Sequence, residues 1–94
     1  MRYNYADTFL IKDIEIALLE EIEDSAIEEV NKLGINDDFY FEKMVTSKVY
    51  MELCKEQFED EGVRKKYEVY KNEFDRYYAL SQKSGINTIK ILRG

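Results

Sequence analysis

Two apolar patterns flanking Glu61 to Val63 cannot share one helix. Upstream, Tyr40, Met44, Ser47, Met51, Cys54 and Phe58 follow steps of four and three, and Val45, Val49 and Leu53 form a second stripe. Continued at that rhythm, the first stripe lands on Glu61, Lys65, Glu68 and Asn72, all polar. The apolar row present instead is Val63, Tyr67, Tyr70, Phe74 and Tyr77, about two residues out of phase and so on the opposite side of a helix turning ~100° per residue. A reversal of the chain at Gly62 removes the conflict, predicting an antiparallel hairpin with a short acidic connection. The upstream helix, apolar on two sides, then sits between neighbours.

A helix is also expected over Ile11 to Leu33. Ile11, Leu18, Ile22, Ala26, Val30 and Leu33 keep near the helical rhythm, Leu19 and Ile27 widen the face, and Glu20, Glu21, Asp24 and Glu28 lie opposite. Gly34 can take the left-handed conformation and let Ile35 fold back onto Val30, a Schellman stop. The triplet Gly-Ile-Asn recurs at Gly85 to Asn87, where the same stop is expected. Asp37 and Asp38 supply a capping oxygen and negative charge at the start of the next helix. The segment Asp7 to Ile11 is compatible with a short first turn. The predicted fold is all-α, a three-helix antiparallel bundle in a single domain, residues 1–94. Its helices fall at about 11–33, 38–60 and 62–84, with an extended C-terminal arm over 86–94. The arm rests on Ile86, Thr88, Ile89 and Ile91, which favour extended backbone. It must dock on its own bundle, pair with the start of the chain, where Tyr3 and Tyr5 alternate, or reach another molecule.

With 94 residues the chain has room for one domain and a modest core, the kind that gains stability by assembling. At 45% hydrophobic and 36% charged residues, it is too apolar for a disordered tail and too charged for a membrane protein. No apolar run approaches the ~20 residues of a membrane span, and the first ten residues lack the pattern of a secretion signal, so a cytoplasmic location is expected. Cys54 is the only cysteine, which leaves no intrachain disulfide. Charge is divided along the chain. Residues 1–61 hold 6 Lys/Arg and 17 Asp/Glu, net −11, whereas residues 62–94 hold 8 and 3, net +5. The halves can pair within one molecule, or one copy's acidic face can meet the next copy's basic face.

The rings of Tyr67, Tyr70, Phe74 and Tyr77 interleave with Arg64, Lys65, Lys66, Lys71 and Arg76, as in surfaces that stack single-stranded nucleic acid. On a helix, however, most of those cations point away from the rings, so the row is read as core, and no direct nucleic-acid binding is expected. Buried tyrosine hydroxyls need partners, which places some rings at an edge; Tyr77 and Tyr78 are candidate interface residues. The absence of histidine removes histidine triads and the usual zinc hydrolases. Two Glu-x-x-Glu pairs, Glu20 with Glu23 and Glu56 with Glu59, are similar to those that hold magnesium in all-helical nucleotide pyrophosphatases. Glu20 points away from the apolar face and Glu23 only skirts it, so a solvated acidic surface is favoured. Cys54 on an apolar stripe reads as an inert thiol. The chain is expected to be non-enzymatic, without a cofactor or metal site. A row of carboxylates over Glu20, Glu21, Asp24 and Glu28 also suits an acidic inhibitor that imitates nucleic acid and covers a basic site on its target.

An acidic amphipathic helix, a turn and a hairpin whose last helix repeats Lys, Tyr and Glu resemble the small head-tail connector (adaptor) proteins of tailed bacteriophages and prophages. The stretch VYMELCKEQFEDEGVRKKYEVYKNEFDRYYAL carries the likeness, within about Asp7 to Ser84. The chain departs from many connectors in lacking proline and a clear extra helix between the first two. The resemblance implies a virion assembly subunit in the host cytoplasm. It would be a homo-oligomer forming a ring beneath a portal, with an extended terminal arm contacting neighbours. Ile86, Ile89, Ile91 and Leu92 would be the arm contacts.

Overall fold

The computed structural model describes residues 3–93, and the side chains of residues 3–82. Four helices appear in order: α1 (Thr8–Ile11), α2 (Ile16–Asn31), α3 (Asp38–Glu56) and α4 (Glu61–Arg93). No strand is present among the described residues.

The expected first helix is divided in two. Leu10 and Leu19 both reach the core, at 0% and 3% exposure. On one unbroken helix, nine residues at ~100° each would set them on opposite sides. The break over 12–15, where Glu15 is extended, lets both point inward. Asp7 caps α1 by accepting the Leu10 N–H. The buried row of α2 is Leu19, Glu23, Ala26 and Val30. Leu18 and Leu33, expected inside, are 41% and 38% exposed, because the buried face is rotated toward Glu23. At the C-terminus Gly34 has φ 69° and Ile35 packs on the core, the expected left-handed stop.

Asp37 opens α3, its carboxylate accepting the Phe39 and Tyr40 N–H groups at 2.9 and 3.1 Å. Both predicted stripes are used. Met44, Ser47, Met51 and Cys54 are buried on one, and Val45, Val49 and Leu53 on the other. This helix is central: α2 packs on it, α4 packs on it, and α2 and α4 scarcely touch.

The chain does reverse after α3, but over 57–60 rather than at Gly62. Asp60 starts α4, its carboxylate accepting the Val63 N–H at 3.2 Å. A Cβ at Gly62 would lie 3.1 Å from that same oxygen, so the glycine clears space for the cap. Across the hairpin, Phe58 meets Tyr67 edge-on, Tyr50 stacks on Tyr70 at 4.4 Å, and Tyr40 lies against Tyr77. These pairs run in opposite chain directions, so α3 and α4 are antiparallel. Tyr67, Tyr70, Phe74 and Tyr77 all pack on the core. The row is an inner seam, not a stacking platform.

The extended arm and the expected stop at Gly85 are corrected. The backbone remains helical through Gly85 to Arg93. Glycine in a helix interior costs ~1 kcal/mol relative to alanine, and it ends a helix only where φ turns positive. Among the described residues that happens at Gly34 alone. The side chains of Ile86, Ile89, Ile91 and Leu92 lie outside the described residues. With Tyr77 opposite the first turn of α3, the following residues of α4 extend past the hairpin, and the long dimension of the chain is 52 Å.

Candidate interaction surfaces and the N-terminal strap

Because α2 and α4 leave a furrow over α3, something must cover it, and residues 3–11 do. In this segment Tyr3, Tyr5 and Asp7 are half-buried while Asn4, Ala6 and Thr8 are exposed, the two-residue alternation of extended backbone. Two carboxylates fix its position. Glu23 of α2, 2% exposed, accepts the Tyr5 hydroxyl at 2.5 Å and the Tyr3 N–H at 3.3 Å. Asp7 accepts the Tyr70 hydroxyl at 2.6 Å and the Lys66 ammonium at 3.0 Å, and its own N–H donates to the Tyr50 hydroxyl at 3.1 Å. One short segment is therefore tied to α2, α3 and α4. Tyr50 joins the two anchor points, stacked on Tyr70 and edge-on to Tyr5.

The electrostatics follow from this burial. Loss of solvent would raise the Asp7 carboxyl, but the hydrogen bonds from Tyr70, Lys66 and the Leu10 N–H outweigh it and hold the group below its ordinary value. Burial, then the bond to Asp7, pushes the Tyr70 phenol upward; burial, then the bond to Glu23, does the same for Tyr5. Burial, with the nearby Asp7 charge, raises the Cys54 thiol to about 11 despite the opposing pull of Lys66. That thiol is fully buried, which fits the inert role expected for it.

The sequence did not single out Asp7, Tyr50 or Lys66 as partners, and it placed Glu23 at the margin of its helix face. Glu23 instead sits in the middle of the buried row. Consequently the Glu-x-x-Glu pairs are unlike each other: Glu23 is engaged with the strap, whereas Glu20, Glu56 and Glu59 are exposed. Among the described residues no three groups of metal-ligating type converge.

Glu20, Glu21, Asp24 and Glu28 are exposed on α2, a helix with six carboxylates and no Lys or Arg. Lys48 of α3 pairs with Glu29 of this helix at 3.2 Å. No ion pair joins α2 to α4 among the described residues. Tyr77 is packed against Phe39 and Tyr40 at the open end of the hairpin, while Tyr78 beside it is 37% exposed. Beside the strap lies an open cleft of about 290 Å³, bordered by Asn4, Ala6, Thr46, Tyr50, Glu73 and Tyr77.

None of the helices, among the described residues, is long and apolar enough to cross a membrane. No family model matches the sequence, and neither a curated protein nor a solved structure matches it.

Proposed function

We propose that the protein is a non-enzymatic assembly subunit whose copies join head to tail, in the manner of the small head-tail connectors of tailed phages that it resembles. The observation that carries this reading is the separation of charge. The α2 helix holds six carboxylates without a cation, and residues 78–93 of α4 hold Lys83, Lys90 and Arg93 without an acid. Among the described residues these helices flank α3 and scarcely touch, which would leave the two charges to meet across copies. Two complementary faces on one subunit generate a heterologous contact, which closes into a ring when the rotation permits. Tyr78, 37% exposed, and the continuation of α4 past the hairpin would supply one side of such a contact. A portal-like ring is the partner this role calls for.

The test is light scattering over a range of concentration and salt. A mass above the 11.2 kDa of one chain, lost at high salt and lost in the Glu21→Lys, Asp24→Lys, Glu28→Lys variant, supports the reading. A strict monomer with no affinity for a portal protein would end it. The exposed acidic row also suits an inhibitor of a basic nucleic-acid-binding protein; a monomer that forms a salt-sensitive complex with such a target would favour that reading instead.

A further inference from the structure

We infer that residues 3–11 form an exchangeable strap, and that the furrow on α3 between α2 and α4 accepts the same segment from a second copy. This deepens the assembly reading by naming the segment that passes between subunits. The first argument is thermodynamic. Whatever the furrow gains from its own strap it gains equally from another copy's, because the contacts are the same: Tyr5 on Glu23, Asp7 on Lys66 and Tyr70, and Leu10 in the core. Exchange then depends on effective concentration and on the link, not on any new surface.

The second argument is construction. The link over 12–15 is an irregular break with Lys12, Asp13 and Glu15 exposed and Ile14 resting on the core, and extending it would carry α1 away from α2. The strap lies at the surface, with Asn4 and Ala6 bordering the open cleft, so it lifts without dismantling the α3–α4 hairpin. It is held by Leu10 in the core and by hydrogen bonds to side chains at two points, rather than by a backbone ladder. The furrow it vacates keeps a cation and a phenol donor, Lys66 and Tyr70, aligned for one carboxylate. A second strap supplies that carboxylate at the right distance from its tyrosine.

The wild-type chain permits a direct test. Equal amounts of isotopically light and heavy protein are mixed, equilibrated and treated with a carbodiimide, which joins a carboxylate directly to a nearby ammonium. The Asp7–Lys66 contact of 3.0 Å is within its reach. Cross-linked peptides carrying one light and one heavy partner, rising with concentration toward the random-mixing share, establish exchange. Same-label cross-links alone in a sample that light scattering shows to be assembled overturn exchange and leave the assembly reading standing. Same-label cross-links in a sample that stays monomeric overturn exchange, and overturn the assembly reading as well where the chain has no affinity for a portal protein. A second measurement uses Asp7→Lys mixed with Lys66→Asp, compared with the Asp7→Lys, Lys66→Asp double variant. Exchange predicts a one-to-one complex of the single variants, in which both strap contacts regain opposite charges. A folded, monomeric double variant together with single variants that ignore each other would refute it.

Discussion

Asp7→Ala should be among the most damaging substitutions in the chain, although the residue lies in an irregular segment near the N-terminus. The carboxylate does three things. It caps α1, a contribution of ~1 kcal/mol. It accepts the Tyr70 hydroxyl at 2.6 Å, and removing that acceptor leaves a half-buried phenol unpaired at a cost of ~1 to 3 kcal/mol. It also pairs with Lys66, but that side chain is 38% exposed, so solvent reduces the ion pair to a few tenths of a kcal/mol. The sum is about 3 kcal/mol, a large share of the roughly 5 to 14 kcal/mol expected for a domain of this size. It corresponds to a fall in Tm of more than about 10 °C. Asp7→Asn keeps an oxygen for the cap and the phenol and should lose about 1 kcal/mol.

Urea unfolding followed by circular dichroism measures both, and a double-mutant cycle with Tyr70→Phe isolates the shared bond, with an expected coupling of about 1 to 2 kcal/mol. The pH dependence has a definite sign. The folded carboxyl titrates below its unfolded value of about 3.9, so its contribution is complete above that value and is lost as pH falls through the lower folded one. Asp7→Asn should therefore destabilise less at pH 3 than at pH 7. A coupling near zero, or an Asp7→Ala loss below about 1 kcal/mol, would show that the strap is held by apolar contact alone.

Glu23→Ala, which strands the Tyr5 hydroxyl in a buried site, should cost about 2 to 4 kcal/mol by urea unfolding, and Glu23→Gln distinctly less. The upward displacement of the Tyr5 and Tyr70 phenols means that stability is complete below the ordinary value of about 10 and declines as pH rises beyond it; Tyr5→Phe and Tyr70→Phe should each shrink that alkaline loss, measured as the change in urea midpoint between pH 8 and pH 11. Cys54, fully buried with its thiol raised to about 11, should react with a thiol reagent at pH 8 more than about tenfold slower in the folded protein than in urea.

The elements most legible in the sequence are those decided by short-range pattern. The α3 helix announces itself because two apolar stripes survive any choice of neighbour, and the out-of-phase aromatic row forces a reversal whatever residue performs it. The reversing residue was less legible: Gly62 attracts attention as a glycine, yet the turn is made at 57–60 and Gly62 accommodates the Asp60 cap. Gly-Ile-Asn shows the limit of local signals. At Gly34 the triplet ends a helix whose next residue packs on the core; at Gly85 it lies within α4. The glycine permits a stop without commanding one. The split between α1 and α2 was equally hidden, because the requirement that Leu10 and Leu19 face the same core is a tertiary condition.

The strap was harder to see because its specificity resides in charge. Leu19, Glu23, Ala26 and Val30 follow steps of four, three and four, so position alone puts Glu23 in the buried row, and only the habit of counting carboxylates as surface removes it. Tyr3, Tyr5 and Asp7 alternate, a weak signal for an extended segment. Neither observation identifies the other as its partner, since they lie about twenty residues apart with a turn between. Together they do: a carboxylate on an apolar helix face requires a donor, and a tyrosine on an alternating strap brings one. Apolar contact alone would let so short a segment slide by two residues and still bury alternate side chains. Two carboxylates on different elements, each claiming one phenol, leave a single register in which both are satisfied. The same pairing that makes the strap costly to disturb in one chain would make it selective for the matching furrow of another.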